Sequence, residues 1–225
     1  MRILKQLEAS GEQFTTIEAK LTYTVEDRKL GDVEERTGFV AYEKKSKDAP
    51  AKFRVTFDTL RQGEGPRIRE QEDFAFDGQW VTLRKHKIKQ MTRGQVAGEG
   101  EQVEPLRLGK GMFPLPFGQK AADVLEFFDV SQGPEDADAS GNADCLILTP
   151  RREKAEDVSF SEMRMWIDRS THLPVKMITR DDKKKVTTVV FGDIRTNQPL
   201  AADIFDLPRP AGWELRVEDW RKKAD

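Results

Sequence analysis

FAFDGQWVTL, residues 74–83, sets an Asp-Gly pair between two apolar arms. Asp77 and Gly78 both tolerate positive φ, so the pair favours a two-residue type I′ hairpin turn. In that register Phe76 faces Gln79 and Ala75 faces Trp80. Phe74, Phe76, Val81 and Leu83 then share one face, with Trp80 on the other. Both faces carry apolar bulk, so something covers each of them at least in part.

The same two-residue period extends in both directions. Upstream, Ile17, Ala19, Leu21, Tyr23 and Val25 alternate with polar residues, the pattern of a half-buried strand. RTGFVAYEK, AKFRVTFDTL and IREQEDFAF read as the next three strands, with Phe53, Val55 and Phe57 on one face of the second. Downstream, KIKQMT is a short basic strand. DCLILTP, DVSFSEMRMWID, HLPVKMITRDD, KKVTTVVFGDIRT and GWELRVEDW follow. The total is about eleven strands. Helical spacing is confined to residues 2–10, where Ile3, Leu4 and Leu7 fall on one side, and to AADVLEFF, residues 121–128. SQGPEDADASGNAD is an acidic solvated loop, around residues 131–144.

Short turns between successive strands imply an antiparallel meander. So many strands with so few helices must close on themselves or curl over the helices. The expectation is a mostly β (α+β) single domain spanning residues 1–225, a curved antiparallel sheet or incomplete β-barrel wrapped over a few short helices.

The chain has 225 residues, 38 basic against 40 acidic, for a net charge of -2. Nucleic-acid binding needs a basic surplus, so it is not expected. Cys145 is the single cysteine, which excludes an internal disulfide, and it reads as a small buried hydrophobe on a strand. No apolar run reaches the ~20 residues of a membrane span. The opening MRILKQLEAS reads as an amphipathic helix and lacks the long apolar stretch of a secretion signal.

Catalytic chemistry has little to stand on. His86 lies among Arg84, Lys85 and Lys87, and His172 sits at a hairpin turn, so both read as solvated or structural. No Gly-x-Ser-x-Gly elbow is present. GKG at 109–111 lacks the spacing of a phosphate loop. No metal ligand set and no cofactor are expected, and the chain is read as a non-enzyme.

The apolar inventory says more. Met163, Met165 and Ile167 alternate on one strand, and Leu173, Val175 and Met177 on the next. Methionine suits surfaces that accept variable apolar shapes. Met112, Phe113, Leu115 and Phe117, in LRLGKGMFPLPFGQK, form a Gly-flanked, Pro-stiffened stretch. Either it plugs the open side of the sheet as permanent core, or it is a movable lid over a hydrophobic cavity. The walls of that cavity would be Phe53, Val55, Phe57, Phe74, Phe76, Val81, Leu83, Met163, Met165 and Met177. Basic groups at residues 84–89, 151–152 and 183–185 read as solvated strand ends.

Four stretches, in order, resemble the LolA-type lipoprotein carriers of the bacterial periplasm. They are GFVAYEKK with FRVTF, the hairpin DFAFDGQWVTLRKHKIKQMT, DCLILTP, and the run from SEMRMWID to AGWEL, with Phe205, Pro208 and Gly212 in its closing signature. The resemblance covers roughly residues 12–220. It implies an incomplete β-barrel whose cavity takes acyl chains of lipid or lipoprotein from an inner-membrane ABC transporter and passes them to an outer-membrane receptor. It also implies a periplasmic location, with a signal peptide absent from this sequence. In EKKSKDAP, Lys44 or Lys45 stands where the family's carriers place an arginine, and is a candidate cargo-contacting cation. Relatives of the same fold include sensor modules that bind a partner protein, the alternative role.

Overall fold

The computed structural model describes residues 2–47, 49–98, 101, 108, 115–134 and 141–221. Met112, Phe113 and GKG at 109–111 lie outside them. Helix α1 spans Arg2–Gln13 and buries Ile3, Leu4 and Leu7. Strands β1 (Thr16–Asp27), β2 (Asp32–Glu43), β3 (Lys52–Gln62), β4 (Ile68–Phe76), β5 (Trp80–Lys85) and β6 (Gln90–Gln95) follow. Helix α2 (Ala121–Phe127) leads directly into β7 (Phe128–Gln132). Strands β8 (Ala143–Pro150), β9 (Glu162–Asp168), β10 (Pro174–Arg180), β11 (Lys185–Thr196) and β12 (Glu214–Asp219) complete the chain.

The twelve strands form one sheet in the order β12-β6-β5-β4-β3-β2-β1-β11-β10-β9-β8-β7. The sheet is open, with β12 and β7 as its edges, and does not close into a barrel. The mostly β class and the incomplete barrel are as the alternation implied. Three details differ. The spacing of AADVLEFF places Phe128 at the end of a helix; instead it turns to extended backbone, opens β7, pairs with Pro150 and stacks on Phe160 at 5.7 Å. KIKQMT divides into a 3-10 turn at His86–Ile88 and β6, because Lys89 takes a left-handed conformation at φ 52. Finally, β12 runs parallel to β6, with Leu215 opposite Met91. The connection after β11 brings the chain back along the edge of β6, and the parallel strand satisfies backbone groups that edge would otherwise expose.

The chain groups into two compact units. The first comprises Met1–Gln13, Thr22–Glu35 and Pro105–Gly192. In it, the amide of Ala121 opening α2 donates to Glu8 of α1 at 3.2 Å. On one sheet face, Ala143, Cys145 and Trp166 pack with Ile147, Val175 and Ile178. Cys145 is buried as expected, and burial pushes its thiol pKa up. His172 is structural: its ring meets the Gln6 amide at 3.2 Å and its carbonyl accepts from Ser10 at 2.9 Å.

The second unit comprises Phe14–Leu21, Arg36–Glu104 and Asp193–Asp225 and contains the hairpin. The register pairs Phe76 with Val81, Ala75 with Thr82 and Phe74 with Leu83. The turn therefore runs from Asp77 to Trp80, with Gly78 alone at positive φ, 108. Phe76 does not pair with Gln79. The reason is the Asp77 carboxylate, which accepts the amides of Gln79 at 3.0 Å and Trp80 at 2.8 Å and so closes a four-residue loop in place of a two-residue one. The partner of Phe76 moves two residues along β5, from Gln79 to Val81, and an even shift keeps the faces. Trp80 lies opposite the apolar set, half-buried, with the Arg93 guanidinium 4.9 Å over its ring.

Gly78 fixes this turn twice over. Its φ disfavours any side chain, and a Cβ would lie 2.1 Å from Cγ of Pro50. Gly78→Ala is expected to lower unfolding stability by about 1–3 kcal/mol, read as a shift of the urea midpoint without change of slope.

Candidate functional site

Alternation along β3, β4 and β5 brings seven of the expected cavity residues onto one face of the second unit. Phe53 lies opposite Phe76, which lies opposite Val81; Val55 lies opposite Phe74, which lies opposite Leu83. Phe53 stacks on Phe74 with centroids 5.8 Å apart and is tilted against Phe76 at the same distance. Phe53, Val55, Phe76 and Val81 are at most 1% exposed, and Phe57 is buried too. Phe74 and Leu83 are half-buried.

In the first unit the methionines form a second apolar wall. Met165 pairs with both Leu146 and Met177, and Met177 pairs with Val189. Met163 lies beside Leu148. All three methionines are buried at 1% exposure or less. Leu115 and Phe117, from the Gly- and Pro-rich stretch, are buried in this unit as well. The Phe117 ring meets Phe191 edge-on at 4.9 Å. The Gln119 amide, itself buried, donates to the Leu115 carbonyl at 3.1 Å and fixes the bend. Gly118 sits so close to α1 that a Cβ on Gly11 would meet its Cα at 3.2 Å. The 115–119 segment is thus seated as a plug. Lys44 and Lys45 lie just past the end of β2, half-buried and exposed respectively.

The reverse face of β3–β5 carries a cluster that sequence reading missed. Asp73 is a fully buried carboxylate. It accepts from Arg54 at 2.8 Å, Thr56 at 2.8 Å and Arg84 Nε at 3.1 Å, and its Oδ2 lies 2.8 Å from His86 Nε2. Arg54 and Arg84 also reach out, donating to the carbonyls of Ile204 at 3.1 Å and Pro208 at 3.2 Å. The His86 ring meets Trp213 edge-on at 4.9 Å. His86 is therefore a structural, half-buried member of a charge network rather than a solvated one. The period-two pattern did place Arg54, Asp73 and Arg84 on a common face. Their convergence with residues 204–213 left no local trace.

Residues 122–208 match the family model described as outer membrane lipoprotein carrier protein LolA. Over those residues the chain is similar to the LolA family. It is 22% identical over 216 residues to an outer-membrane lipoprotein carrier protein of Nitrosomonas europaea, covering 94% of this chain and 87% of that one. An uncharacterized conserved protein from Thermus thermophilus shares the fold at a TM-score of 0.55 and 15% identity, covering 96% of this chain and 97% of that chain. A Pseudomonas aeruginosa MucA/MucB complex aligns at a TM-score of 0.43 and 18% identity, over 92% of this chain and 60% of that one. Among the described residues no helix is long and apolar enough to cross a membrane.

The Asp73 carboxyl is pushed up by its burial. The hydrogen bonds from His86, Arg54 and Thr56 and the Arg54 charge outweigh that push and lower its pKa from 3.8 to about 2. A lowered carboxylate pKa stabilises the folded state above the ordinary value, and the gain is lost as pH falls towards the folded one. Asp73 thus contributes about 2 kcal/mol that fades below about pH 4. Asp73→Asn is expected to cost about 3–5 kcal/mol at neutral pH, because it strands two half-buried arginines. Denaturation between neutral pH and pH 2 should show this gap narrowing as acid is added.

Proposed function

We propose that this protein is a non-enzymatic carrier or binding protein for the acyl chains of lipid or lipidated protein, acting in the periplasm within lipoprotein traffic to the outer membrane. The supporting observation is the plug: Leu115 and Phe117, on a Pro-containing segment without regular structure, are buried in the unit that holds Met163, Met165 and Met177, with Phe117 packed on Phe191 of β11. A segment held by side-chain packing and a few hydrogen bonds is what a displaceable lid requires.

Energetics favour such a design. Burying acyl chain is worth ~0.8 kcal/mol per methylene, so about 14 methylenes gain about 11 kcal/mol. A carrier must match the bilayer nearly enough to take cargo and not so well that it keeps it. Side chains that refill the space when cargo leaves supply that balance. The closed arrangement of the first unit, with Leu115 and Phe117 buried, is the cargo-free state in this reading. Lys44 or Lys45 meets the polar part of the cargo. An inner-membrane ABC transporter and an outer-membrane receptor are the corresponding donor and acceptor.

Lid displacement has a signed consequence. Phe117→Ala removes buried contacts worth about 3–5 kcal/mol, which lowers the cost of opening. If even about 1.4 kcal/mol of that reaches the closed-to-open equilibrium, acyl affinity rises tenfold. Titration of a fluorescent long-chain fatty acid into wild type and Phe117→Ala, both checked for folding by circular dichroism, should show this tightening. Absence of uptake by both proteins would refute the carrier and favour the partner-binding alternative.

A further inference from the structure

On the face of β4–β6 opposite the apolar wall lies a cleft of about 820 Å³, within the second unit. Its floor is Ala75, Thr82 and Met91. Its roof is the 202–209 segment, which contributes Phe205 and Leu207. That roof is not loosely draped. Arg54 holds the Ile204 carbonyl and Arg84 holds the Pro208 carbonyl, so the Asp73 network pins it at both ends. The cleft is preformed, and its volume falls in the range of about 300–1,000 Å³ typical of small-molecule sites.

The charges around it are unequal once existing partners are subtracted. Asp77 is engaged by the amides of Gln79 and Trp80 and lies 3.7 Å from Arg93. Glu101 accepts the Gly98 amide at 2.6 Å. Asp206 is the remaining carboxylate of the lining. Against it stand Lys47, Lys52 and Arg209, none of which pairs with a carboxylate among the described residues. Arg209 spends Nε and one Nη on the Trp213 carbonyl at 2.9 and 2.6 Å, which aims the guanidinium without neutralising it.

We propose that this cleft is a second ligand site, separate from the acyl cavity, and that it takes a small anionic amphiphile. The carboxylate or phosphate sits among Lys47, Lys52 and Arg209, and the hydrocarbon lies along Phe205, Leu207 and Met91. A peptide added as a strand fits poorly, because β4, β5 and β6 already pair with their neighbours and offer no free backbone ladder here. An uncharged lipid would leave three cations facing an empty anion position.

The test is isothermal titration calorimetry of the full chain with decanoate, decyl phosphate and decanol, each below its aggregation concentration. The two anions are expected to bind at least about tenfold more tightly than decanol. The stronger of the two identifies the source, a fatty-acid carboxylate or a phosphate headgroup. Lys47→Gln with Lys52→Gln, and separately Arg209→Gln, should each weaken anion binding by about tenfold. Phe117→Ala should leave the cation-dependent component unchanged. Equal affinity for decanol and decanoate, or indifference to the lysine pair, would overturn the proposal. So would a cation-dependent component that moves with Phe117→Ala, since the anion would then occupy the acyl cavity. Loss of long-chain uptake with cation-dependent decanoate binding intact would count against the carrier alone.

Discussion

Arg54 and Arg84 bring two positive charges to a half-buried stretch of sheet, and the Asp73 carboxylate between them makes that placement tolerable. Without it the strands would have to splay or the arginines would have to leave for solvent. With it, each guanidinium faces Asp73 and turns a further donor outward to a backbone carbonyl. The 204–208 segment has no ladder of its own, and these two donors are what hold it across β3–β5. From there the chain reaches Trp213 against His86, and β12 is delivered parallel to β6. A buried ion pair is rarely a net stabiliser over an apolar substitute. Here its worth lies in specifying where an otherwise irregular connection must lie.

The reverse side of the same strands works by a different rule. Phe53, Val55, Phe76 and Val81 make no directional bonds, and their arrangement follows from pleat and register alone. Apolar packing of this kind is tolerant: one hydrocarbon can replace another at modest cost. That tolerance is the physical basis of the proposed carrier role. A polar network cannot exchange partners so freely, so the strands β3–β5 carry a rigid, charged face and a tolerantly packed, apolar one. The plug at Leu115 and Phe117 follows the same division in the first unit, where methionines supply the adaptable surface.

Much of this was legible from the chain. Alternation located most strands, and it assigned Phe74, Phe76, Val81 and Leu83 to one face correctly even though the pairing was off by two residues. A shift by two conserves parity, which is why the faces survived the error. Strand β7 was hidden because AADVLEFF has helical spacing up to its last residue, and it is the pairing with Pro150 and the ring of Phe160 that draw Phe128 into the sheet. His86 looked solvated because its sequence neighbours are basic; its partner Asp73 is thirteen residues away on the next strand.

The sequence alone determined the class of the protein, a mostly β chain with one apolar and one polar face per strand. Period two is a local property, set by how successive side chains leave an extended backbone. Tertiary structure alone decided what each face does. The closing of the turn by Asp77, the convergence of residues 54, 73, 84 and 86 on the 204–213 connection, and the parallel return of β12 depend on partners that period two does not specify. Their energies exist only once a buried carboxylate, two guanidinium groups and a set of backbone carbonyls have been brought out of water together.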